Sequence, residues 1–206
     1  MAEFRLPKIY PILDPACFAG DVDFFSAARA LLGAGCEFMQ YRNKAGSARE
    51  MLSEARELRR IAGRGVVLIM NDRADLALAA GFDGVHVGQD DLPVESVRKL
   101  VGPKLIVGAS THNPEQLKGA DKTTADYLAI GPAFATTSKA NPDPVVGLDG
   151  VKAARSLTQK PLVAIGGLSL ANAKSVIEAG ADSLALISAL VPEVAKSYER
   201  FRAVLL

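Results

Sequence analysis

The sequence predicts an α/β fold: one domain over residues 1–206 in which eight parallel strands, each followed by a helix, close into a barrel. Three features predict it. Short β-branched apolar runs alternate with helical patterns eight times, the order in which βα units build a parallel sheet. Most of these runs are apolar throughout, as strands covered on both faces are. An acid also recurs where the even-numbered strands open, a period of two βα units. A closed (β/α)8 TIM barrel accommodates that period, whereas a doubly wound open sheet has no reason to repeat in this way.

Taken in order, the strands read as Ile9–Asp14, Glu37–Arg42, Val66–Asp72, Gly84–Gly88, Leu105–Ser110, Tyr127–Gly131, Leu162–Gly166 and Ser183–Ser188. The first contains Pro11, unexpected in a strand because proline has no N–H to give to a ladder. Between strands, Phe24, Phe25, Ala28, Leu31 and Leu32 fall at helical spacing, as do Val151, Ala154 and Leu157. Ser47 to Glu50 and Asn113 to Gln116 have the form of capping boxes, the second with Pro114 at the first helical position. Gly35, Gly63, Gly81 and Gly180 stand where helices should stop. The repeated acids are Glu37, Asp83 and Asp182, each ending an Ala-Gly-x-acid segment, with Asp126 in a less complete copy. No linker, low-complexity stretch or second domain interrupts the pattern.

Composition narrows the function. Lys and Arg total 24 against 23 for Asp and Glu, a net charge of +1, which argues against nucleic-acid or membrane-surface partners. No apolar run approaches the roughly 20 residues needed to span a bilayer. The amino terminus lacks a signal-peptide pattern, so a cytoplasmic location is the default expectation. Cys17 and Cys36 fit no zinc motif and form no disulfide framework. A homo-oligomer remains compatible with the sequence.

In such barrels the chemistry sits at the carboxyl ends of the strands, and there the sequence collects polar groups. Alternation sends Gln40 and Arg42 to one side, with Lys44 following in the loop, a set suited to phosphate oxygens. Asn71, Asp72 and Arg73 end the third strand, and Gln89, Asp90 and Asp91 come after the fourth. Either acid could cap the helix that follows. Two acids at neighbouring strand ends beside cations also fit Mg2+, which uses one or two carboxylates, water and substrate phosphates. Ser110 ends the fifth strand. Thr136, Thr137, Ser138 and Lys139 follow the sixth, before a long loop of the kind that forms lids or binding segments. Gly166, Gly167 and Ser188 lie where barrels often hold a phosphate, with a helix start expected next. His86 lies inside its strand, where a hydrogen-bonded interior histidine is the ordinary reading. His112 fits a loop contact as well as a site.

In order and spacing, these segments resemble the thiamine-phosphate synthase family from the second strand to the eighth. The resemblance rests on Gln40, Arg42 and Lys44; on Asn71, Asp72, Arg73 and Asp75; on Gly84 to Gln89 with Asp91; on Gly131, Pro132, Phe134, Thr136, Ser138 and Lys139; and on Ala164 to Gly167. It implies a (β/α)8 barrel that joins hydroxymethylpyrimidine diphosphate to hydroxyethylthiazole phosphate and releases pyrophosphate. It further implies that Gln40, Arg42, Lys44 and Asn71 hold the pyrimidine diphosphate, that Asp72 and Asp91 hold Mg2+, and that Ser110 contacts the pyrimidine. Lys139 would meet the pyrophosphate, and Thr136, Thr137, Ser138, Gly167, Ile187 and Ser188 would surround the thiazole phosphate. Asn43 departs from an acid usual in the family, Ala135 from a proline and Ser138 from a threonine. Two other readings stay open: a thiazole tautomerase-like relative, which should lack the paired acids and the lysine, and a non-catalytic phosphate-binding barrel, which should have lost a charged site member.

Overall fold

Apolar runs become strands where both faces can be covered, and all eight do so here. The computed structural model describes residues 5–18, 23–136 and 143–206. Its strands are β1 (Ile9–Leu13), β2 (Phe38–Tyr41), β3 (Val67–Asn71), β4 (Gly84–Val87), β5 (Ile106–Thr111), β6 (Tyr127–Ile130), β7 (Leu162–Ile165) and β8 (Ser183–Leu186). They pair in parallel in sequence order and close β8 onto β1. The helices are α1 (Phe24–Gly33), α2 (Ala48–Ala62), α3 (Ala74–Ala80), α4 (Val94–Val101), α5 (Pro114–Asp121), α6 (Gly147–Leu157), α7 (Ala173–Glu178) and α8 (Val194–Leu205). The (β/α)8 barrel read from the sequence is thus the observed fold. Among the described residues no helix is long and apolar enough to cross a membrane.

Pro11 is accommodated by offset pairing. Ile9, Tyr10 and Pro11 register with β8, and only Ile12 and Leu13 register with β2. β5 runs one residue past its expected end, where the Thr111 hydroxyl donates to the Ala129 carbonyl at 2.8 Å. At α2 the capping box is complete: Ser47 Oγ accepts from Glu50 N, and Glu50 Oε2 accepts from Ser47 N at 2.8 Å. At α5 only half of the expected box forms. Asn113 Oδ1 accepts from Gln116 N at 2.9 Å, but Gln116 Oε1 reaches back to His112 N at 2.7 Å.

Strand alternation separates two apolar layers. Leu13, Met39, Tyr41, Leu68 and Val107 face the helices, packing with Leu31, Leu58, Ala77 and Val97. Tyr10, Ile12, Phe38, Ile69, Tyr127 and Val163 fill the barrel interior.

Three of the four repeated acids prove to be structural, at the rim where the strands begin. Asp83, Asp126 and Asp182 accept the backbone N–H of Leu68, Val107 and Leu162, at 2.8, 2.7 and 2.8 Å. Each also pairs with an arginine from an even-numbered helix: Arg59, Arg98 or Arg155. Those guanidiniums close the loop ends as well, as Arg98 does on the Gly102 and Leu105 carbonyls at 3.0 and 2.5 Å. In the fourth quarter Arg202 of α8 donates to the Ala34 carbonyl at 2.8 Å. The ion pairs contribute little because the acids are partly exposed; the bond to a buried N–H matters more. Asp126→Ala should therefore destabilise the protein by about 1–3 kcal/mol, the cost of leaving the Val107 N–H unpaired. A lowered urea midpoint with unchanged turnover is expected, and an unchanged midpoint would count against this role.

Candidate active site

Each element delivers its polar residue to the opposite rim because the strand ends there. β2 ends at Tyr41, and the chain continues through Arg42 to Lys44 before the Ser47 cap opens α2. Arg42 is held by an ion pair with Asp14, a buried carboxylate just past β1 that also accepts from Ala16 N at 3.0 Å. Asn43 turns away, donating to Glu54 of α2 at 3.0 Å and accepting from Gly46 N at 2.8 Å. The departure at that position therefore shapes the loop and not the cavity.

β3 delivers Asn71 and Asp72. The Asp72 backbone sits at φ 60°, a left-handed conformation uncommon outside glycine and one that recurs at functional sites. Its N–H donates to the His86 carbonyl at 2.8 Å, which fixes the chain as it leaves the sheet. Asp72 does not cap α3: Arg73 holds the N-cap position and makes no side-chain cap bond. Nor does Asp91 cap α4, where Pro93 holds that position; Asp91 Oδ2 instead accepts from Gly88 N at 2.7 Å.

The freed carboxylates face one another within hydrogen-bonding reach, and Lys44 pairs with Asp72. Burial raises the Asp72 carboxyl above its usual range, the Lys44 ammonium draws it down, and the facing Asp91 raises it again, for a net upward shift. Two acids sharing a half-buried position are a natural seat for a cation. Among the described residues no group of three or more metal-ligating side chains comes together. A hard cation that completes its sphere with water and phosphate suits such a pair, so the donor set fits Mg2+.

Beneath the rim a chain of hydrogen bonds crosses the barrel. Gln40 Nε2 donates to the Tyr10 hydroxyl at 2.7 Å, and the Tyr10 and Tyr127 hydroxyls are 2.8 Å apart. Tyr127 Oη lies 3.0 Å from His86 Nδ1, and His86 Nε2 lies 2.8 Å from Ser110 Oγ. Burial pushes the His86 pKa down to about 4 against a weaker upward pull from Asp91, so the ring is neutral at pH 7. His86 is the hydrogen-bonded interior histidine expected from its position. His112 donates Nδ1–H to the Gly131 carbonyl at 2.6 Å, with Asp143 Oδ2 at 3.6 Å from the same nitrogen.

The glycine pair after β7 does something the sequence did not reveal. Gly166 and Gly167 have φ of 96° and 62°, and a Cβ on Gly167 would lie 2.4 Å from the Ala135 carbonyl oxygen. Phe134 N donates to the Gly166 carbonyl at 3.0 Å, so the loops after β6 and β7 are zipped together. The helix start expected next is more distant, since α7 begins only at Ala173. Ser188 instead opens a short 3-10 turn, Ser188–Leu190.

Gln40, Arg42, Lys44, Asn71, Asp72, Asp91, Ser110, Thr136, Gly167, Ile187 and Ser188 all line one cavity of about 460 Å3. Thr137, Ser138 and Lys139 lie outside the described residues. Sequence reasoning missed Asp14, Tyr10 and Tyr127. Period-two alternation places Tyr10 inward with Ile12, the only signal that could have pointed to it.

Comparison with known proteins identifies the family. A family model described as thiamine monophosphate synthase matches residues 9–190. The thiamine-phosphate synthase of Koribacter versatilis (strain Ellin345) is 56% identical over 204 residues, covering 98% of this chain and 97% of the relative. That of Chloroflexus aurantiacus is 46% identical over 185 residues, covering 89% and 85%. The solved structure of thiamine phosphate pyrophosphorylase from Pyrococcus furiosus superposes with a TM-score of 0.84 at 33% identity, covering 96% of this chain and 94% of that one. The chain belongs to the thiamine monophosphate synthase family and is a transferase.

Proposed function

We propose that the enzyme joins hydroxymethylpyrimidine diphosphate to hydroxyethylthiazole phosphate, or its carboxylated form, by a Mg2+-assisted dissociative displacement that yields thiamine phosphate and pyrophosphate. The observation that carries this reading is the facing pair Asp72 and Asp91, set beside Lys44 and Arg42 in one cavity. A tautomerase-like barrel would have no use for that pair, and a silent relative would not keep every charged member.

The reaction breaks the bond from the pyrimidinylmethyl carbon to the diphosphate oxygen, and the electron pair leaves with pyrophosphate. The amino-substituted ring stabilises the cation left behind, and the thiazole nitrogen then donates its lone pair to the methylene carbon. No strong base is required for those steps, which suits a cavity lined by cations, amides and hydroxyls. The protein must hold the two reactants close and stabilise the departing polyanion. Arg42, braced by Asp14, and Lys44 supply fixed positive charge, and Gln40 and Asn71 orient the pyrimidine substrate. Asp72 and Asp91 are the residues that would hold Mg2+, which when bound adds positive charge against the diphosphate oxygens. Thr136, Thr137, Ser138, Gly167, Ile187 and Ser188 are assigned to the thiazole phosphate.

Lys139 is assigned to the leaving pyrophosphate. Lys139→Ala should lower the maximal rate far more than it weakens thiazole-phosphate binding; a change confined to thiazole affinity would contradict the assignment. The whole reading is tested by incubating the enzyme with both substrates and Mg2+ and assaying thiamine phosphate and pyrophosphate, with a metal-free control. No product in the complete mixture would rule it out.

A further inference from the structure

The chain of hydrogen bonds under the cavity has a direction, because an amide nitrogen only donates. Tyr10 accepts from Gln40 Nε2, so its own proton goes to the Tyr127 oxygen. The Tyr127 proton then goes to His86 Nδ1, and His86 must carry its hydrogen on Nε2. That N–H is given to Ser110 Oγ, which leaves the Ser110 proton to point into the cavity. Running the chain backwards would make Tyr10 accept twice and strand its own O–H in a buried interior, where an unmet donor is costly. The glycine at 108 makes room for this chain, since a Cβ there would lie 2.5 Å from His86 Nδ1.

We propose that this relay sets specificity: Tyr10, Tyr127 and His86 act as positioning residues that hold Ser110 as a hydrogen-bond donor, so the cavity floor takes an accepting substrate atom, an sp2 ring nitrogen, and disfavours a donor. The proposal rests on the reading that the pyrimidine lies against Ser110. A site built to donate a hydrogen bond discriminates well against an analogue that cannot accept it, because the hydroxyl proton is then left without an acceptor under the bound substrate.

The first test reads the tautomer directly. Nitrogen-15 NMR of histidine-labelled protein carrying His112→Gln leaves only the His86 ring, and Nε2–H is expected. Gln40→Glu, which presents carboxylate acceptors to Tyr10, should reverse the relay and move the proton to Nδ1. A ring protonated at Nδ1 without the Gln40 change, or the same tautomer in both proteins, overturns the relay. The second test uses the two pyridine analogues of the pyrimidine diphosphate, each with one ring nitrogen replaced by C–H. One of them should lose on the order of tenfold to a hundredfold in kcat/KM with the wild-type enzyme, the effect of one unmet donor, and that gap should close in Ser110→Ala. A gap that persists in Ser110→Ala refutes the donor role. Full turnover by Ser110→Ala would remove the substrate reading, while the NMR result still decides the relay.

Discussion

Asp91→Asn is expected to lower turnover by a factor on the order of 10² or more while leaving the fold intact, comparable to removing a group that stabilises developing charge. Asparagine keeps an oxygen to accept from Gly88 N, the bond that shapes the loop after β4. It removes the charge that faces Asp72. A loop or capping role would therefore survive the change, and a charge role would not. Helix α4 takes no capping bond from the Asp91 carboxylate, because its N-terminus has no side-chain cap. Rates measured against Mg2+ concentration, beside thermal melts, separate the two. Near-wild-type turnover, or a melt that collapses in step with activity, would defeat the assignment.

Gly108→Ala should be the most damaging single change to the barrel interior. The added Cβ would lie 2.1 Å from Tyr127 Cζ, 2.4 Å from its hydroxyl oxygen and 2.5 Å from His86 Nδ1. Neither ring can give way cheaply. Tyr127 is fully buried and hydrogen-bonded to Tyr10, and it stacks on His86 with ring centroids 5.4 Å apart. Overpacking of this kind costs about 3 kcal/mol or more, which lowers Tm by about 6–12 °C in a chain of this size. Because the relay to Ser110 must break to make room, activity should fall even where the protein remains folded. A Tm within a degree of wild type would show that the interior is looser than these distances imply.

Asp72 and Asp91 mark the limit of what could be read from the chain. Each precedes a helix, and each had a respectable alternative as an N-cap. What removed that alternative was backbone geometry: a left-handed Asp72, caps at Arg73 and Pro93 that make no side-chain bond, and an Asp91 turned back to Gly88. Conversely, the recurring acids before the even strands were visible as a repeat, but their purpose was not. The arginine partners of Asp83, Asp126 and Asp182 lie 24 to 28 positions away, on different helices. The capping boxes show the same division. The one at Ser47 was legible in full, whereas the one at Asn113 reaches one residue further back than its spacing predicted.

By itself the sequence determined the class of fold, the number and order of the strands, and, among the described residues, most of the polar groups that line the cavity. Those follow from local rules, since apolar continuity, period-two alternation and capping act over a few neighbouring residues. Barrel closure decided the rest. Tyr10 and Tyr127 are 117 positions apart and meet only because β1 and β6 face each other across a closed interior. Asp14 finds Arg42 across the β1–β2 register, and the two carboxylates meet where β3 and β4 leave the sheet together. Contacts of that kind depend on register and on the curvature of the whole sheet, and no local pattern of residues encodes them.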